Sequence, residues 1–307
     1  MSDDDIQPRT VVDVSTGRPI LFAPRRQGRP MHTGENAGKK PCPFCHGNEA
    51  LTPPELDIAR DPDEPSGWLA RAFANKYPAS EHHEVIAEGR RHDEHPCDLD
   101  ATTWRAALDV WRRRMQAIEA HDGVACAFLF KNVGARAGAS IAHNHSQVLG
   151  LDALPPRIAL ERAQQRELGR CPWCATLADA REQGRLIHEN DAFAIVAPEP
   201  PKMPYESWLL PKRCESDYYA TDFELLADAL HAWFTALGNG LDRAACNFWL
   251  HRVPVAQLRA GETFHWHFEL QPRTGQLAGL ELGGDMYINS VPAQRTAERL
   301  RQGLRDA

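Results

Sequence analysis

The sequence carries a Cys-x-x-Cys pair and a His-x-His triplet in each of its halves, and this duplication constrains the fold more than any other feature. Cys42-Pro43-Phe44-Cys45 and Cys171-Pro172-Trp173-Cys174 open the two copies; His143-Asn144-His145 and His265-Trp266-His267 close them. Between those ends His92 precedes His143 by 51 residues, and Cys214 precedes His265 by 51. Self-similarity in matched register marks one supersecondary unit used twice.

The segments between the ligand pairs also correspond. Trp68–Ala79 and His83–Glu88 read as paired strands, as do Phe193–Pro198 and Glu206–Pro211. A helical pattern follows in each half. It runs from Ala101 to Ile118, with Trp104, Leu108, Trp111 and Met115 on one face, and from Phe223 to Leu237, with Leu226, Leu230 and Phe234. Each half is thus expected to run knuckle, hairpin, helix, then a strand bearing His-x-His. The fold class predicted is α+β, a tandem pair of units with mostly antiparallel sheets packed by helices. The domains expected are residues 1–151, with a first metal site, and 152–307, with a second. Ile158–Leu168 is predicted as a connecting helix after Pro155-Pro156, the Pro- and Asp-rich Thr52–Gly67 as a loop, and residues 1–8 as frayed.

Composition narrows the classes of function. A chain of 307 residues, 42% hydrophobic, suits two ordinary domains. It contains no apolar run near the length of a membrane-spanning helix, and its acidic N-terminus has no apolar core of a signal peptide. With 35 basic against 42 acidic residues, the net charge of -7 argues against broad nucleic-acid binding. A soluble, cytoplasmic protein is expected, with neither a nucleic acid nor a membrane as partner.

Cysteines in such a compartment call for a metal reading before a disulfide one. A closed zinc site takes four sulfur or nitrogen ligands. The first half offers Cys42, Cys45, His92 and His143; the second offers Cys171, Cys174, Cys214 and His265. Two zinc ions per chain are expected, chiefly to fix the fold, and the second site is also open to another transition metal. Cys97, Cys126 and Cys246 have no partner in register and read as ordinary thiols.

The segment Phe130–Gln147 carries further chemistry. Residues i and i+2 of a strand share a face, so a metal on His143 would clamp the backbone that presents His145. Gly134, Gly138 and Ser140 lie in a turn whose N–H groups suit a phosphate, and Gln147 is placed to donate to one. An imidazole held in the right tautomer is a competent nucleophile toward phosphorus. On spacing alone, a structural or metal-binding role for His145 is the plainer alternative.

In this order the motifs resemble the galactose-1-phosphate uridylyltransferase family of the histidine-triad superfamily, over about residues 10–305. The matching pieces are Ala23–Pro30, Cys42–Glu49 with Thr52-Pro53, Asn75–Pro78, Gly134–Gln147, Phe264–Arg273 and Ala278–Asn289. The resemblance implies that His145 is the nucleophile and becomes a nucleotidyl-histidine. It implies that Arg26, Arg29, Asn75, Asn132, Gly138, Ser140 and Gln147 contact the nucleotide and its phosphates, and that the chain forms a homodimer. It supports Cys42, Cys45, His92 and His143 as one metal site and His265 as a ligand of another. Alone, Arg26 and Arg29 would read as a solvated basic run.

The activity implied is UDP-glucose—hexose-1-phosphate (galactose-1-phosphate) uridylyltransfer by a ping-pong route, with nucleotide sugar and sugar 1-phosphate as partners. Asn144 and Ser146 depart from the best-known uridylyltransferases, which carry Pro and Cys there. Together with the paired Cys-x-x-Cys motifs, they are closer to the branch that includes ADP-sugar phosphorylases, for which phosphate is the acceptor. That is the alternative activity; a nucleotide-sugar or dinucleoside-polyphosphate hydrolase and a non-catalytic nucleotide binder stand behind it.

Overall fold

A computed structural model describes residues 7–29, 41–64, 66–92 and 95–306. Its backbone is organised by alternation in the strands and by capped amphipathic helices. An N-terminal hairpin pairs β1 (Arg9–Val12) with β2 (Pro19–Phe22) apart from the rest. The main sheet contains β3 (Glu55–Arg60), β4 (Trp68–Ala74), β5 (His83–Glu88), β6 (Cys126–Val133) and β7 (His145–Leu151) from the first half. From the second come β8 (Leu186–Glu189), β9 (Phe193–Val196), β10 (Ser207–Pro211), β11 (Cys246–His251) and β12 (His267–Pro272). Their order is 3-4-5-7-6-11-12-10-9-8, so the second half mirrors the first across the β6–β11 seam. Every neighbouring pair is antiparallel. The α+β class with an antiparallel sheet is as the sequence predicts.

One face of this sheet packs helices. In α1 (Ala101–Glu119) the Asp100 carboxylate caps the start by accepting the Thr103 N–H, and Trp104, Leu108, Trp111 and Met115 are fully buried. In α4 (Phe223–Gly240) Asp222 does the same for Glu224 and Leu225. Trp104 stacks on Phe234 with centroids 4.9 Å apart, which joins the two helices in one core. Each such aromatic contributes about 2–3 kcal/mol through burial. A C-terminal helix, α6 (Ala293–Arg305), extends this layer against α4. It comes so close that a Cβ on Gly303 would lie 2.3 Å from the Ala236 carbonyl.

The opposite face is covered unevenly. Over the second half lie α2 (Pro156–Leu168) and α3 (Pro172–Glu182), burying Ile158, Trp173 and Leu177 against β9, β10 and Phe264. Over the first half lies the Cys42–Cys45 knuckle, with Phe44 packed against Phe73 and Trp68 nearby. A short helix, α5 (Gly279–Gly284), follows β12.

The structure corrects three expectations. Thr52–Gly67 is not all loop, since Glu55–Arg60 pairs with β4 through two register shifts. It is a charged edge strand whose Asp57 is held by Arg113 at 2.8 and 3.0 Å, so it lacks the apolar alternation that would reveal it. The His-x-His triplets are not wholly in strands: β7 begins at His145 and β12 at His267, leaving His143 and His265 in the preceding turns. The second Cys-x-x-Cys is the N-terminus of a helix, with Cys171 at the N-cap of α3. The fraying expected for residues 1–8 falls outside the described residues at positions 1–6.

Candidate functional site

His143 and His145 part at the mouth of β7 and do different things. The His143 Nε2–H donates to the Gly89 carbonyl at 3.0 Å. A carbonyl only accepts, so this bond fixes the proton on Nε2 and leaves Nδ1 as a lone pair. That nitrogen lies 3.5 Å from Cys45 Sγ, which is also 3.5 Å from His92 Nδ1. Burial pushes the His143 pKa down to about 3, keeping the ring neutral as a metal ligand must be.

Cys42, Cys45, His92 and His143 present four ligand atoms within 4.8 Å of one another, and Cys171, Cys174, Cys214 and His265 do the same. In the second set the His265 Nε2–H donates to Pro211 O at 3.0 Å, while Nδ1 faces Cys171 and Cys174 at 3.3 and 3.6 Å. Cys214 holds the Cys171 thiol below its ordinary pKa by donating a hydrogen bond to it. Both sets suit a small, thiophilic cation in tetrahedral geometry, with a carbonyl orienting His143 and His265.

In His145 the roles of the ring nitrogens are exchanged. Its Nδ1–H donates to the His143 carbonyl at 2.7 Å, leaving Nε2 as the lone-pair nitrogen. Burial pushes its pKa down to about 4; Lys131 and Arg29 act in the same direction, against the bond to His143. His145 lines a cleft of about 160 Å³ together with Arg29, Asn75, Ser140 and Gln147. Phe44, Phe73, Leu51, Pro53 and Val85 form the apolar part of that lining.

The remaining expected residues stand just behind. The Arg26 guanidinium donates to Tyr77 O at 2.7 Å, and Tyr77 also lines the cleft. Asn132 accepts at 2.7 Å from Asn247, which is in turn bonded to Ala137 O and to Arg273. Gly134 and Gly138 both have positive φ, 79° and 83°, and a Cβ on Gly134 would meet Ala245 at 3.0 Å. The left-handed turn at Gly138 brings Ser140 to the rim.

Sequence reasoning missed His83. The Ala79 N–H donates to its Nδ1 at 2.9 Å, so its Nε2–H donates to Gln147 Oε1 at 3.1 Å. The amide oxygen is thereby engaged, and the Gln147 NH₂ is left to point into the cleft. Burial, then the Arg26 charge, pushes the His83 pKa down to about 3. No pattern in β5 (His83–Glu88) sets this histidine apart.

Also missed was a buried cluster in the second half, Glu161, His251, His267 and Glu269. His251 Nδ1 lies 2.9 Å from Glu161, and Arg157 grips both Glu269 oxygens at 2.8 and 2.7 Å. The alternation His265, His267, Glu269 was the available signal, but Glu161 and His251 reach it only through the fold.

Comparison with known proteins gives this geometry a lineage. The family described as "Domain of unknown function (DUF4921)" matches residues 92–307, and the DUF4931 N-terminal domain, also of unknown function, matches residues 29–154. An ADP-glucose phosphorylase from Arabidopsis thaliana is 28% identical over 98% of this chain and 94% of its own length. A crystal structure of that enzyme with bound ADP-glucose superimposes with a TM-score of 0.76, covering 96% of this chain and 99% of the other. A galactose-1-phosphate uridylyltransferase from Thermotoga maritima is 24% identical over 92% of this chain and 94% of its own. The chain belongs to the DUF4921 family, and its homologues include an ADP-glucose phosphorylase and galactose-1-phosphate uridylyltransferases.

Proposed function

We propose that this protein is a nucleotidyltransferase that moves the nucleoside monophosphate of a nucleotide sugar to a phosphate-bearing acceptor through His145. The observation that carries this reading is the tautomer of His145: Nδ1–H tied to the His143 carbonyl, Nε2 free of protons at a cleft lined by Arg29, Ser140 and Gln147. In the first step Nε2 attacks the α-phosphorus, a P–N bond forms, and the P–O bond to the sugar phosphate breaks with its electrons on the departing oxygen. That oxygen belongs to a phosphate of low basicity, so it leaves without a strong general acid. In the second step an acceptor oxygen attacks the same phosphorus and His145 departs neutral. Arg29 and the Gln147 NH₂ stabilise the added charge. Arg26, Asn75, Asn132 and the Gly138 turn support them.

Cys42, Cys45, His92 and His143 would hold one zinc ion, and Cys171, Cys174, Cys214 and His265 a second. Zinc so placed ties each knuckle to the strand it precedes.

The finer reading concerns the donor. Uridylyl exchange between UDP-glucose and galactose 1-phosphate is the reading the resemblance implies. The 28% identity to ADP-glucose phosphorylase over 98% of the chain favours adenylyl transfer, with inorganic phosphate as acceptor. Intact mass after brief incubation with UDP-glucose or ADP-glucose, without acceptor, decides between them. A UMP adduct supports the first and an AMP adduct the second. Donor consumed with no adduct points to hydrolysis. We also propose a homodimer, since Ile20, Phe22, Leu282, Met286 and Ile288 are exposed on two segments joined by the Arg18–Asp285 pair. Light scattering giving a monomer would remove that part.

A further inference from the structure

Behind His145, on the helix-facing side of the sheet, lies a wholly buried ion pair. Lys131 on β6 meets Glu88 on β5, and both side chains are excluded from solvent. Trp111 Nε1 of α1 donates to the other oxygen of Glu88 at 2.8 Å. The strand order here is β5-β7-β6, so the pair bridges the two neighbours of β7. Lys131 stands opposite Ser146, the residue after His145, and its chain crosses that small side chain to reach Glu88. The Glu88 N–H also donates to Asn144 O at 3.0 Å, in the middle of the His-x-His triplet.

The second half has no such pair. Leu250 stands opposite Phe268, the residue after His267, where the first half has Lys131 opposite Ser146. Continuing the β10–β12 register places Pro211 where Glu88 stands. Replacing a buried ion pair with apolar residues is often neutral or stabilising, and the second half is built that way. Stability is therefore a poor reason for the first half to retain its charges.

We infer that Lys131 and Glu88 are positioning residues, a strap across the back of β7 that fixes the His143–His145 segment for in-line attack. The inference rests on the reading of His145 as the nucleophile. Ser146 gives the strap room, whereas Phe268 fills the same place with core. A nucleophile held in register by three strands and a crossing ion pair keeps its approach angle as charge develops at phosphorus, and small misplacements there are costly in rate.

The test uses the full-length, metal-loaded protein. The double variant Glu88→Leu/Lys131→Leu copies the apolar second half and should keep the melting temperature and metal content of the wild type. Its single-turnover rate of nucleotidyl-histidine formation should fall by about tenfold or more, with the half-saturating donor concentration unchanged. Hydrogen exchange of the amides in residues 143–151 should accelerate. The swap Glu88→Lys/Lys131→Glu restores a pair and should recover most of both losses, which loss of packing alone would not allow. Wild-type rate and exchange in the double variant would overturn the strap. So would a loss of rate that merely tracks loss of metal and melting temperature. If the wild-type protein forms no adduct with either nucleotide sugar, the reading of His145 fails separately. Exchange over residues 143–151 then decides the strap, and unchanged exchange sinks it.

Discussion

The two halves share a frame and differ in what covers it. His145 and His267 open equivalent strands, and each Nδ1–H is tied to the carbonyl two residues back, at 2.7 and 3.1 Å. In the first half the Nε2 faces an open cleft lined by Arg29 and Gln147. In the second, Nε2 lies 3.6 Å from Glu269 and 4.0 Å from Glu161, under a helix whose Arg157 closes the site. Gln147 and Glu269 occupy the same place relative to the histidine, one an amide that can donate, the other a carboxylate that can only accept. A phosphate is welcome beside the first and repelled by the second. The tautomer lock is thus a property of the motif, while reactivity depends on the cover and the charge around it.

The sharpest way to break this comparison is to remove each histidine. His145→Gly should lower nucleotidyl-adduct formation by at least about 1,000-fold with the melting temperature nearly unchanged. His267→Ala should leave the adduct rate within a few-fold. Comparable losses from both would mean that the halves are not functionally distinct. Next come the knuckles. Cys42→Ser and Cys171→Ser should each release one metal equivalent and cost several kcal/mol, read by metal analysis and thermal unfolding. Retained metal in either would dismiss that ligand set.

Smaller effects sharpen the contrast. Arg157→Ala removes both guanidinium hydrogen bonds to buried Glu269, leaving it Lys202 at 3.7 Å, and should destabilise the protein by about 2 kcal/mol, by denaturant titration, while the adduct rate holds. His83→Ala should do the reverse, slowing adduct formation by about tenfold with little change in stability, because the Gln147 amide loses its orientation. The pH profile is the mildest test. His145 has its pKa lowered to about 4, so adduct formation should stay level from pH 8 to near 5 and fall only as the ring protonates. The unfolded chain takes up these protons near pH 6.5. The stability that neutral His145 and His83 contribute is therefore present above about pH 6.5 and lost progressively toward pH 4 for His145 and pH 3 for His83. A rate that halves near pH 6.5 would show an imidazole that is not buried as described.

Much of this was written locally enough to be read in advance. The matched register of His92 and Cys214 led to both ligand clusters, because a turn and a strand hold those residues at fixed reach. The paired strands and both long helices followed from periodicity. Strand β3 escaped because Glu55 and Asp57 pair with Arg71 and Arg113 on the edge of the sheet rather than burying an apolar face. The helix at Cys171 escaped because Cys-Pro-aromatic-Cys reads alike in a turn and at a helix start. His83 and Glu161 escaped for a different reason. Their partners, Gln147 and His251, are 64 and 90 residues away; the sheet order brings the first pair together, and the packing of α2 over β11 the second.

That order also governs how the molecule comes apart. Strands β6 and β11 pair across the seam between the halves, with Asn132 bonded to Asn247 on the same rungs. Detaching either half would strip a central strand of its neighbour and bare a row of backbone donors and acceptors in the middle of the sheet. Calorimetry should therefore record one cooperative transition, with both halves unfolding together.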